Sequence, residues 1–119
     1  MPYLRLLEHL LASVPGALAA LLLDVNGEIV VEAGPRAERD RYRLIGAYQG
    51  IHLMSTRKAM SRYAVGALSC LVYRYVACSV ILRPLRDGYY LLLSLAPEAN
   101  LGRALHASKQ TAADLDAEL

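Results

Sequence analysis

Two dipeptides constrain the fold of this chain more than any other feature. Asn26-Gly27 lies between the apolar runs LLLDV and EIVVEA, and Asp87-Gly88 leads into YYLLLSLA. Asn-Gly and Asp-Gly supply the adjacent positive φ angles of a type I′ turn, whose twist matches that of an antiparallel strand pair. Residues 21–25 and 28–32 are therefore expected to form one hairpin, and a second is expected around Asp87-Gly88. Antiparallel hairpins interleaved with helical patterns make the chain α+β.

The remaining elements fall around these hairpins. Leu4, Leu7, Leu10 and Leu11 recur at helical spacing behind Pro2, and Val14-Pro15-Gly16 ends that helix. Residues 17–23 are apolar at every position, as in a strand covered on both faces. From about Arg39 to Ser61 the pattern is helical again. Leu44, Tyr48, Ile51, Met54 and Ala59 form one broad arc, and Gly46, Gly50, Leu53 and Arg57 form a second stripe. Two such faces call for two packing partners, one of them the chain's own sheet. The small-residue stripe suits either close helix-on-sheet packing or a helix–helix seam.

Leu68 to Tyr75 and the run up to Pro84 are rich in β-branched and aromatic residues, with a turn near Tyr75 to Ala77. After Pro97 a last helix runs from about Asn100, a good N-cap, to Glu118. Its expected stripe is Leu101, Leu105, Ser108, Ala112, Leu115 and Leu119. The order α-β-β-α-β-β-β-α gives one domain over residues 1–119, a five-stranded antiparallel sheet with helices on both faces. If Leu68 to Tyr75 lies at the sheet edge, its free N–H and C=O groups invite another chain, most simply a second copy.

Composition removes whole classes of function. With 55% apolar and 20% charged residues, the chain is not intrinsically disordered. A net charge of +2 does not argue for nucleic acid. The apolar run from Leu10 to Leu23 is broken by Pro15-Gly16 and is too short to span a bilayer, which takes about 20 residues. Glu8 and His9 interrupt the only signal-peptide candidate. Cys70 and Cys78 make no disulfide framework or CxxC motif and read as reduced, buried thiols of a cytoplasmic protein. The aromatic set is eight Tyr with no Phe or Trp, a palette for surfaces buried on one side and wet or paired on the other.

No catalytic constellation stands out. His9, His52 and His106 fall on three separate helices without HxxxH or HExxH spacing, so no metal site is expected. There is no GxxxxGK[ST] loop, GxGxxG or GxSxG, and no cofactor is implied. Asp24-Val25-Asn26-Gly27 begins like a calcium loop, but the later acidic positions do not follow. One charged feature remains: Arg36, Arg39, Arg41, Arg43, Arg57, Lys58 and Arg62 stand against only Glu38 and Asp40 between residues 36 and 62. That segment is either an electrostatic handle for an acidic protein or a solvated helix start. The tyrosines are not interleaved with its arginines, as single-strand nucleic-acid binding would favour.

LLASVPGALAALLLDVNGEIVVEAG resembles the start of a roadblock/LC7 domain, and LRPLRDGYYLLLSLAPEANLGRALHAS resembles that family's last strands and final helix. Between these motifs, residues 39–77 are similar in pattern more than in letters. The resemblance implies a dimer in which the third strand and second helix meet their counterparts across a two-fold axis. Gly46, Gly50, Leu53, Leu71, Tyr73 and Tyr75 are the expected interface residues. It also implies function by binding. Family members, including the bacterial MglB-type proteins, regulate or scaffold small Ras-like GTPases. The expected function is a non-catalytic regulator of a GTPase nucleotide cycle, with Arg43, Ala47, Tyr48, Met54, Arg57 and Lys58 as partner-binding residues. The alternatives are a purely structural dimerisation subunit and a PAS- or GAF-like small-molecule sensor.

Overall fold

The structure is a computed structural model that describes residues 2–34, 53–61 and 63–119. Its elements run α1 (Pro2–Ser13), β1 (Ala17–Leu23), β2 (Ile29–Ala33), the helical residues 53–60 (α2), β3 (Leu71–Arg74), β4 (Ser79–Pro84), β5 (Tyr90–Leu95) and α3 (Leu101–Glu118). The strands form one sheet in the order β2-β1-β5-β4-β3, antiparallel at every pair. This is the expected α+β architecture, with β3 at an edge.

Alternation along the strands divides the apolar residues into two clusters. On the first face Ala20, Leu22, Ile81, Leu91, Leu93 and Leu95 meet Leu7, Leu10 and Val14 of the N-terminal segment and Ala104 and Leu115 of α3. On the second face Ala19, Leu21, Leu23, Val80, Leu82, Tyr90 and Leu92 pack with Leu53 of α2. Most residues of β1, β4 and β5 are buried whichever way they point, which is why these strands read as largely apolar runs.

Turn chemistry sets the connections, and one turn differs from expectation. Asn26-Gly27 is not a type I′ pair. Asp24 Oδ1 accepts from the backbone N–H groups of Asn26 (2.9 Å) and Glu28 (3.0 Å), and Asp24 N donates to Glu28 O at 2.9 Å. The loop is therefore longer than two residues, and only Gly27 takes a positive φ, 79°. The side chain of Asp24 imposes this local alternative. Asp87 (φ 59°) and Gly88 (φ 81°) do make the two-residue positive-φ turn.

Three other expectations shift. β3 covers only Leu71–Arg74 rather than Leu68 to Tyr75. The buried stripe of α3 is Ala104, Ser108, Thr111 and Leu115, with Leu101, Leu105 and Ala112 only partly buried, because small residues let this helix approach the sheet. Cys78 is buried but Cys70 is half-exposed, and both lie just outside the strands. Asn100 caps α3 as expected, its Oδ1 accepting from Arg103 N at 3.0 Å.

Candidate partner-binding surface

The surface pointed to by sequence lies on the second face, around β3 and α2. Arg43, Gly46, Ala47, Tyr48 and Gly50 lie outside the described residues, as does His52. Leu53, Met54, Arg57, Lys58, Leu71, Tyr73 and Tyr75 are described.

β3 pairs with β4 on one side, Leu71 opposite Leu82 and Tyr73 opposite Val80. Among the described residues no strand lies on its other side. Leu71 and Tyr73 are partly buried against the second-face cluster. Tyr73 and Tyr75, two residues apart and so on one face, stack with ring centroids 6.4 Å apart and planes 12° from parallel. Burial, with a smaller contribution from neighbouring Tyr75, pushes the Tyr73 hydroxyl pKa above its usual value. The hairpin to β4 closes with Tyr75 N donating to Cys78 O at 2.8 Å, leaving Val76 at its tip 99% exposed. Met54, Met60, Tyr63, Val65, Val72 and Tyr75 are also exposed; Val72, between Leu71 and Tyr73, points to the opposite face of the sheet.

α2 corrects one site expectation. Leu53 does not belong to an outward seam: it is 3% exposed and packs in the chain's own second-face cluster. Leu53 therefore packs on the sheet, one of the two packings its small-residue stripe suits, while Met54, from the broad apolar arc, is 57% exposed. Arg57 and Lys58 are exposed. Met54, Arg57 and Lys58 converge on one cleft with Leu53, Ser55, Val25, Gly88 and Tyr90. Val25, Gly88 and Tyr90 were not anticipated. The signal for them is the register: Leu23 pairs with Tyr90, which brings both hairpin turns to one end of the sheet beside α2.

Electrostatics around the sheet is dominated by burial. The Tyr90 hydroxyl is pushed up to about 12, first by burial and then by the Asp24 carboxylate. Burial also raises the Cys70 thiol, opposed by the Arg83 cation, so Cys70 is not an activated nucleophile. Arg83 is itself 8% exposed. Its Nε donates to Ser108 Oγ at 2.9 Å and its Nη2 to Leu105 O at 2.7 Å, tying β4 to α3. Among the described residues no group of His, Cys, Asp or Glu is arranged to hold a metal ion, and no helix is long and apolar enough to cross a membrane.

The five-stranded sheet flanked by these helices has the roadblock/LC7 fold. Solved structures sharing it include a roadblock/LC7 domain from Streptomyces avermitilis, at 18% sequence identity and a TM-score of 0.83, with 94% of this chain and 92% of that chain covered. MglC from Myxococcus xanthus is 21% identical with a TM-score of 0.74 over the whole of both chains. MglB from Myxococcus xanthus is 12% identical with a TM-score of 0.83, covering 96% of this chain and 91% of that one. No protein-family model matches the sequence, and no curated protein does.

Proposed function

We propose that this chain is a non-catalytic, dimeric regulator that binds a small Ras-like GTPase and modulates its nucleotide cycle. The observation that carries the reading is the exposed apolar surface next to the outer edge of β3, on a fold shared with MglB and MglC. An edge strand with free backbone groups recruits a partner strand, and a second copy supplies the same edge in antiparallel orientation. Leu71, Tyr73 and Tyr75 would be the contacts on β3, joined by Gly46 and Gly50. Leu53 is left out because its side chain is already covered.

In that dimer the two α2 helices form a platform, with Met54, Arg57 and Lys58, together with Arg43, Ala47 and Tyr48, offered to the GTPase. A partner changes GTP turnover either by supplying an arginine to the phosphoryl group or by reordering the switch loops. Nothing in the sequence singles out an arginine for that role, so switch reordering is the mechanism proposed.

Two measurements test the reading. Tyr73→Glu, which places a charge on the β3 surface, is expected to convert the protein to a monomer by light scattering; a persistent dimer rejects the β3 interface. Mixed with small GTPases of its own genome, the wild-type protein is expected to bind one and alter its GTP hydrolysis or exchange rate. Binding without any change in turnover would mark a structural subunit instead.

A further inference from the structure

The cleft beside α2 is sorted by polarity. It has a volume of about 540 Å³, within the range of sites that hold a small organic ligand, roughly 300–1,000 Å³. Leu53 and Tyr90, both buried, lie at its base, while exposed Val25 and Met54 line its open part. Arg57 and Lys58 follow Leu53 and Met54 by one helical turn, so the same face of α2 passes from apolar to doubly cationic along the cleft. The opposite wall is firm: a Cβ on Gly88, whose φ is 81°, would stand 3.0 Å from Val25 Cβ, so the two hairpin turns touch.

Charge decides what such a cleft accepts. No carboxylate lines it among the described residues. Asp24, whose Oδ1 accepts from Asn26 N and Glu28 N, does not line the cleft, and its charge reaches it only through Tyr90. A cationic ligand would meet Arg57 and Lys58 with like charge, and a small inorganic anion would leave the apolar base wet. A ligand with a hydrocarbon body and one anionic end satisfies both parts.

We infer that this cleft binds an apolar carboxylate, its hydrocarbon against Leu53, Met54, Val25 and Tyr90 and its carboxylate toward Arg57 and Lys58. The inference does not depend on the GTPase reading, and its test uses no partner protein. Decanoate, below its micellar concentration, is titrated into the full chain and followed by calorimetry and methyl NMR. Saturable binding is expected, with the largest shifts at Val25, Leu53 and Met54. Decyltrimethylammonium, of equal tail length and opposite charge, is expected not to bind there.

The double variant Arg57→Gln/Lys58→Gln is expected to weaken decanoate about tenfold, since exposed ion pairs each contribute a few-fold. Both residues are on the surface, so an unchanged wild-type NMR spectrum elsewhere establishes that the variant is folded. Equal binding of the cation, an unaltered affinity in the double variant, or shifts that map to another region would each overturn the inference. So would a cleft that responds only to an acidic peptide, or one whose resonances move with protein concentration alone; the occupant would then be a protein segment or a second copy.

Discussion

The two faces of the sheet are built from the same strands but finished differently. On the first face α1 and α3 cover the strands and are fastened by polar contacts as well. Arg83 reaches Ser108 and Leu105, Tyr3 Oη donates to Glu118 O at 2.8 Å, and Arg86 N donates to Asp116 Oδ1 at 2.9 Å. On the second face Leu53 is the α2 side chain that enters the described core, and the residues around it are exposed. The buried polar groups differ in the same sense. Arg83 is bonded, whereas Ser94 Oγ, between Ala19 and Val80, has no hydrogen-bond partner among the described residues. The strand residues are equally buried on both faces, Leu21, Leu23, Val80, Leu82 and Leu92 as fully as Ala20, Leu22, Ile81 and Leu93; among the described residues the difference lies in the polar fastening.

The largest effect expected from this difference is at Leu93. It is fully buried on the first face, where Ala20 and Ile81 are its cross-strand neighbours. Leu93→Ala is expected to destabilise the domain by about 3–4 kcal/mol in urea unfolding, through lost burial and a cavity that packed neighbours cannot collapse. Leu53→Ala, where the described part of α2 meets the second face, is expected to cost about 2 kcal/mol. Equal costs would show that the second face is as tightly sealed as the first.

Arg83→Ala comes next. It removes the bonds from Ser108 Oγ and Leu105 O and opens a void between β4 and α3. A loss of about 2–3 kcal/mol is expected, with amide exchange in the middle of α3 accelerating before that in β5. If exchange rises evenly across the chain, Arg83 is not a local fastener of the first face.

Tyr90 probes the second face by pH. Its hydroxyl goes from 10.0 in the unfolded reference to about 12 in the fold. Below pH 10 both states hold the proton and nothing is lost; from there to about pH 12 the unfolded chain releases it first. Stability is therefore expected to fall as pH rises through that window, and Tyr90→Phe should lessen the fall by about 1 kcal/mol. Parallel urea titrations of the two proteins measure the difference. The smallest expected effect is Ser94→Ala, within about 0.5 kcal/mol in calorimetric melting, because deleting a hydroxyl without a partner removes little. A loss well above that would mean that the hydroxyl is bonded, and the contrast with Arg83 would weaken.

Much of the fold is legible in the sequence. β1 begins and ends at the residues the apolar run marks, Pro84 ends β4, and Asn100 caps α3. The sequence offered the edge position of β3 as a condition for pairing with another chain, and the strand order puts β3 there, shorter than expected. The turn at Asn26-Gly27 went differently because Asp24 competes for the backbone donors, which no dipeptide preference encodes. The candidate site was less legible. Tyr73 and Tyr75 share a face by simple alternation, but the role of Leu53 depends on how α2 is rotated over the sheet, which helical periodicity leaves open when two stripes are apolar.

The sequence alone determined the class of this fold, because turn residues, apolar runs and caps act within a few residues of each other. The tertiary structure decided that Leu53 lies on the sheet, and that Val25, Gly88 and Tyr90 meet Arg57 and Lys58. Those outcomes depend on strand order and helix rotation, which long-range packing selects and no local pattern specifies.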